Sequence, residues 1–151
     1  MRDKPPLHKQ ETSYSCVPAC LRMVLSSLGV SKTEQELRVL CDCTYDSPLL
    51  PGGTDPFKLK TAAQTLGFTN TQIGNLTVDE LRSELARGLY PIAYLTASLA
   101  SRMPRQFHAV VVLNMVENEV EVLDPWRGEL VLSLEDFLTE WTRGITILVE
   151  R

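Results

Sequence analysis

Gly88 divides this chain into two kinds of pattern, and that division constrains the fold more than any other feature. Before it, apolar residues recur at helical spacing inside well-capped segments. After it, they alternate or run continuously between turn signals, as strands do. Leu21, Val24, Leu25 and Leu28 share one face of a helix expected over roughly Cys16 to Leu28. Ser15 is its expected N-cap, Pro18 falls in the first turn, where a missing N–H is tolerated, and Gly29 ends it. Thr33 and Glu36 make a capping box for a helix over Thr33 to Cys41. A third helix is expected over Pro56 to Leu66. Thr77 with Glu80 opens a fourth, through DELRSELARG. The second half reads as strands YPIAYL, HAVVVLNMV, EVEVLD, ELVLS and ITILVE, with a tight turn at Glu117 and Asn118. A short helix, LEDFLTEW, capped by Ser133, interrupts them. Helices first and an antiparallel sheet second predict an α+β domain, with the N-terminal helices packed on the C-terminal sheet. At 151 residues, one domain over 1–151 is expected.

Two segments stand outside these elements. CDCTYDSPLLPGGTDP is rich in Pro, Gly and Asp and reads as a long surface loop, and SLASRMPRQF reads as a connection between strands. Such loops often carry binding function.

Composition excludes several classes. The formal net charge is −4 and no Lys/Arg run occurs, so a nucleic-acid partner is disfavoured. MRDKPPLHKQ has no apolar core of the kind a secretory signal needs, and the apolar runs are too short to cross a membrane. The four cysteines, Cys16, Cys20, Cys41 and Cys43, then point to a reducing, cytoplasmic compartment. Cys41 and Cys43 form a C-x-C pair without the two-residue spacer of zinc sites, so no metal and no cofactor is expected, even with His8 as a third ligand.

One constellation carries chemistry. Gln10 lies six residues before Cys16, and Cys16 opens the first helix. A thiol at a helix N-terminus feels the positive end of the backbone dipole, which favours the nucleophilic thiolate. A nearby amide can donate to the oxyanion formed when a thiolate attacks a carbonyl. His108, at the start of HAVVVL, can act as base, and Asp124, at the end of EVEVLD, can orient it. If the two strands form a hairpin, simple counting leaves these residues offset by about three positions, so close pairing requires a longer turn or a bulge. Taken singly, each residue has a plainer explanation: a buried cysteine, a structural histidine, a turn-forming Asp-Pro. Trp126, Tyr14 and Phe107 can wall the cleft, and Arg105 and Arg127 flank the strands.

The stretch from Gln10 to Gly29 resembles the start of the papain-like cysteine peptidases that process bacteriocin leader peptides, the double-glycine leader peptidases. Their pattern is Gln, five residues, Cys, then Gly-Pro-Ala and an apolar helix; CVPACLRMVL matches it, with Val17 in place of the Gly. The resemblance continues through ELRVLC, GGTDPFKLKTAAQTLGF, HAVVV, VLDPWRG and SLEDFLTEW, and so covers nearly the whole chain. It implies a papain-like fold, Cys16 as nucleophile, His108 as base, Asp124 as third member and Gln10 as oxyanion donor. It also implies a peptide or protein substrate and association with a peptide exporter. No P-loop occurs, so the chain is expected to be either a stand-alone domain or a fragment of a longer protein. The same triad on this fold can instead transfer the acyl group or hydrolyse an amide, and a non-catalytic peptide-binding module is the remaining alternative.

Overall fold

A computed structural model describes residues 3–45, 52–96 and 107–151. The helices are α1 (Cys16–Ser27), α2 (Glu34–Leu40), α3 (Pro56–Thr65), α4 (Val78–Ala86) and α5 (Leu134–Glu140). The strands are β1 (Gln72–Asn75), β2 (Ile92–Thr96), β3 (Phe107–Val116), β4 (Glu119–Asp124), β5 (Gly128–Ser133) and β6 (Trp141–Leu148). The six strands form one antiparallel sheet in the order β1-β6-β2-β3-β4-β5. Helices precede most of the sheet, as the change of pattern at Gly88 predicts, and the class is α+β.

Local chemistry explains most boundaries. Thr33 and Thr77 each close a reciprocal capping box, with Glu36 and Glu80. Asp55 caps α3 by accepting from Lys58 N–H, and Ser133 caps α5 by accepting from Asp136 N–H. Gly29, at φ 81°, lets the chain turn away after α1, a conformation that penalises any side chain.

β3 runs through the middle of the molecule and is buried on both faces. Ala109 and Val111 join a cluster with Leu21, Val24 and Leu25 of α1 and Ala62 of α3. Val110 and Val112 join a second cluster with Leu81 of α4 and Phe137 of α5. Each fully buried Val, Leu or Phe side chain contributes about 1.5–3 kcal/mol, so this double burial anchors β3, with α1 packed across it. That packing sets the first residue of α1 against the start of β3.

Three features depart from the sequence reading. β1 carries no alternation of apolar residues, yet it pairs with β6 as an edge strand. α5 stops at Glu140, and Trp141 already belongs to β6. Ser15 occupies the N-cap position of α1 but makes no side-chain cap bond. The Cys41–Pro56 loop is described only in part: Thr44 bridges Gly53 across its base. The SLASRMPRQF connection, with Arg105, lies outside the described residues except for Phe107.

Candidate active site

The hairpin of β3 and β4 is where register decides chemistry. The two-residue turn at Glu117 and Asn118 pairs Val116 with Glu119. Counted back without interruption, Asp124 would fall opposite Val111 and face away from His108. Instead the register shifts between Val112 and Asn114, leaving Leu113 as an extra residue on β3. Val111 now pairs with Leu123, and continuing that register sets Asp124 opposite Val110. A slip of one residue exchanges the faces of a strand. The bulge thus brings Asp124 to the same side as His108 and two positions along, a diagonal that long side chains span.

The side chains close that gap. His108 Nε2 and Asp124 Oδ1 are 2.8 Å apart, and both residues are buried. The same Oδ1 accepts the backbone N–H groups of Trp126 (2.7 Å) and Arg127 (3.2 Å), and Arg127 Nε donates to Oδ2 at 3.2 Å. Burial pushes the Asp124 carboxyl up, but the His108 hydrogen bond and charge and these backbone donors outweigh it and hold it below the usual carboxylate range.

Cys16 is the first residue of α1 and is buried. Its side chain lies close enough to the His108 ring to help raise the pKa of that ring. Because Nε2 is engaged with Asp124, Nδ1 is the ring nitrogen that faces the sulfur. Burial alone would lower the His108 pKa. The hydrogen bonds to Asp124 and Cys16, with the attraction of both groups for an imidazolium, reverse that and raise it from 6.5 to about 10. The imidazole is therefore protonated at neutral pH. An adjacent cation favours thiolate over thiol, so the arrangement can hold a thiolate–imidazolium pair.

Gln10 approaches from the N-terminal arm. Its backbone N–H donates to the Pro125 carbonyl at 2.8 Å, which fixes it beside the turn that follows Asp124. Its side-chain Nε2 donates one hydrogen to the Thr12 carbonyl at 2.7 Å and retains a second. Its Oε1 is buried and has no hydrogen-bond partner among the described residues. A buried unpaired acceptor costs about 1–3 kcal/mol, so the Gln10 amide is held at a cost to stability.

The other cysteines are unlike Cys16. None of the four is in a disulfide. Burial pushes the Cys20 thiol far up and the Cys41 thiol up to about 12, and raises that of Cys43. No cluster able to hold a metal ion occurs among the described residues. Tyr14 meets Tyr45 edge-on, with ring centroids 5.2 Å apart, and Trp126 is half exposed beside the Asp124 turn. Nothing is described of the Phe107 side chain.

Sequence reasoning passed over Glu34. This carboxylate is buried on α2 and reaches into the loop before Cys16, accepting from Glu11 N–H at 2.9 Å and from the Ser15 hydroxyl at 3.1 Å. In sequence it stands at the start of a charged helix turn, where a solvated role is the ordinary expectation.

Comparison with known proteins finds relatives for nearly the whole chain. A model of the Peptidase C39 family matches residues 4–151. The lactococcin-G-processing and transport ATP-binding protein LagD of Lactococcus lactis is 30% identical over 135 residues, 88% of this chain and 17% of that protein. The chain thus spans about a sixth of that relative's length. An uncharacterized protein of Methanothermobacter thermautotrophicus is 31% identical over 142 residues, 94% of this chain and 86% of that one. Among solved structures, the peptidase domain of Streptococcus ComA, a bifunctional ABC transporter, superposes with a TM-score of 0.80 at 24% identity, covering 99% of this chain and 100% of that one. A double glycine motif protease from an AMS/PCAT transporter, in complex with its leader peptide, gives 0.76 at 21%, covering 99% and 94%.

Proposed function

The chain belongs to the Peptidase C39 family of cysteine peptidases, and from that premise we propose that Cys16, His108, Asp124 and Gln10 are the groups that hydrolyse the peptide bond. The observation that carries this is the buried His108 ring, 2.8 Å from the Asp124 carboxylate on one side and within reach of the Cys16 side chain on the other. It also argues against a binding-only module, which has no use for a charged histidine held between a thiol and a buried carboxylate.

The reaction follows from the geometry. Cys16 Sγ attacks the scissile carbonyl carbon, a C–S bond forms, and the carbonyl electrons move onto oxygen. The free N–H of Gln10 Nε2 and the backbone N–H of Cys16 receive that oxyanion. The His108 imidazolium gives its proton to the leaving amine as the C–N bond breaks, leaving a thioester. Water then attacks, His108 takes its proton, and collapse of the second oxyanion releases the acid and restores the sulfur. Asp124 stays ionised throughout and holds the ring in the orientation that points Nδ1 at the sulfur.

The proposed substrate is the leader of an exported peptide, cut after a double-glycine motif, with a peptide exporter as partner. The names of the exporter relatives and of the leader-bound neighbour support that class. No helix among the described residues is long and apolar enough to cross a membrane. We place the activity in the cytoplasm, where four free thiols are stable, and in one domain over residues 1–151. Incubation with a synthetic peptide bearing a double-glycine leader should give two fragments by mass spectrometry, and Cys16→Ala should give none. Cleavage that survives Cys16→Ala, with the fold intact by circular dichroism, overturns the assignment.

A further inference from the structure

We infer that Glu34 is a positioning residue that fixes the loop from Gln10 to Cys16 in its oxyanion-binding shape; this rests on the reading of Gln10 and Cys16 above. The loop has two functional ends, an amide side chain at residue 10 and a helix-terminal N–H at residue 16. A donor displaced by about 1 Å loses much of its effect on a developing oxyanion, so the distance between those ends must be held.

One carboxylate holds both ends. Glu34 Oε1 accepts the backbone N–H of Glu11, next to Gln10, at 2.9 Å. Glu34 Oε2 accepts the hydroxyl of Ser15, next to Cys16, at 3.1 Å. Within the loop, Ser15 Oγ also accepts from Thr12 N–H (3.1 Å) and Thr12 Oγ1 (2.7 Å), while the Thr12 carbonyl takes the Gln10 side-chain N–H (2.7 Å). The network therefore runs from Glu34 through Ser15 and Thr12 to the Gln10 amide itself.

Glu34 is placed for this by its own helix. The capping box of Thr33 and Glu36 pins the first turn of α2, and α2 packs on α1. Its charge is balanced by Arg38 one turn on, with Nη1 2.7 Å from Oε2. Arg38 also lies 3.6 Å from Glu11, and Glu11 lies 3.8 Å from Arg22 of α1. A charge this deeply buried is expensive to keep and is retained only when several partners hold it. A second consequence concerns α1. With its hydroxyl directed to Glu34, Ser15 makes no side-chain cap bond to the first turn of α1.

The test compares three readouts in Glu34→Gln, which keeps the shape and one acceptor but removes the charge. With the double-glycine peptide, kcat should fall about tenfold or more with KM little changed, less than the roughly hundredfold of removing a donor outright. A peptide aldehyde, whose hemithioacetal oxygen occupies the oxyanion position, should bind weaker by a similar factor. Alkylation of Cys16 by iodoacetamide needs no oxyanion site and should stay within about twofold of wild type. Ser15→Ala, which severs one arm and leaves every charge in place, should shift kcat and aldehyde affinity in the same direction and decides the matter if Glu34→Gln does not fold. An unchanged kcat, or alkylation falling in step with kcat, overturns the inference. If Gln10→Ala itself leaves kcat unchanged, the oxyanion reading is what has failed.

Discussion

The strongest quantitative statement the site allows concerns the charge on His108. Its pKa is raised from 6.5 to about 10, against the pull of burial, by Asp124 and Cys16. At 1.36 kcal/mol per unit, this is about 5 kcal/mol of preference for the imidazolium in the folded state. The raised value means a stabilising contribution that is complete below pH 6.5 and is lost as the pH climbs through about 10. Asp124, held below its usual 3.8, contributes in the opposite sense, present above that pH and lost as the acid form is reached. The pair is thus at full strength between about pH 4 and 6.5. Asp124→Asn removes the largest of the contacts that raise His108 and leaves burial less opposed. The folded His108 midpoint should then drop by at least about one unit, a tenfold loss of proton affinity. Proton NMR can read this directly, because the chain has two histidines and they titrate on opposite sides of 6.5: burial and the Arg22 charge lower His8, while His108 is raised. The wild-type spectrum should show one ring resonance titrating below 6.5 and one near pH 10. In Asp124→Asn only the second should move. Two wild-type midpoints together near 6.5, or a His108 midpoint unmoved by Asp124→Asn, would refute the account of a charged histidine held by this carboxylate.

Two further outcomes follow from the same site. Gln10→Ala should lower kcat about a hundredfold, roughly 3 kcal/mol of barrier, with little change in KM, as stopped time courses with the double-glycine peptide will show. Iodoacetamide at neutral pH should alkylate Cys16 well before Cys20, Cys41 or Cys43, whose thiols burial holds in the protonated form, and peptide mapping that finds equal labelling would remove the case for an activated sulfur.

How much of this was legible in the chain depends on whether the signal was local. Thr33 with Glu36, Thr77 with Glu80 and Ser133 each announce a helix start through residues three apart, and the structure has all three. The hairpin turn and the strands on either side are equally local. The β3–β4 register is not. Leu113, the bulged residue, is an ordinary apolar residue in an apolar run, and nothing near it marks an insertion. Counting could say only that some irregularity was required. β1 was invisible for a related reason: its pairing with β6 supplies the order that its own residues lack. The Ser15 cap failed by competition. With Pro18 at the third helical position, one of the two N–H groups a capping hydroxyl normally seeks does not exist, and the buried Glu34 carboxylate takes the hydroxyl instead. Glu34 could not have been found from its neighbours in sequence, since its partners lie at Glu11 and Ser15.

Asp124 shows why the plain and the chemical explanations of a residue need not exclude each other. An Asp before Pro at a strand end is an ordinary turn former, and here it is one: Oδ1 accepts from Trp126 and Arg127 and closes the turn into β5. Those two backbone bonds fix the position of the carboxylate. The same oxygen then meets His108 Nε2 at 2.8 Å. The orientation of the imidazole is therefore inherited from a hydrogen-bonded turn, rather than from a long side chain free to rotate. Arg127, on the other oxygen at 3.2 Å, prevents the carboxylate from turning about its own axis. A turn that carries the chain from β4 to β5 thus also aims the histidine, so the strand pairing and the alignment of the site rest on the same carboxylate.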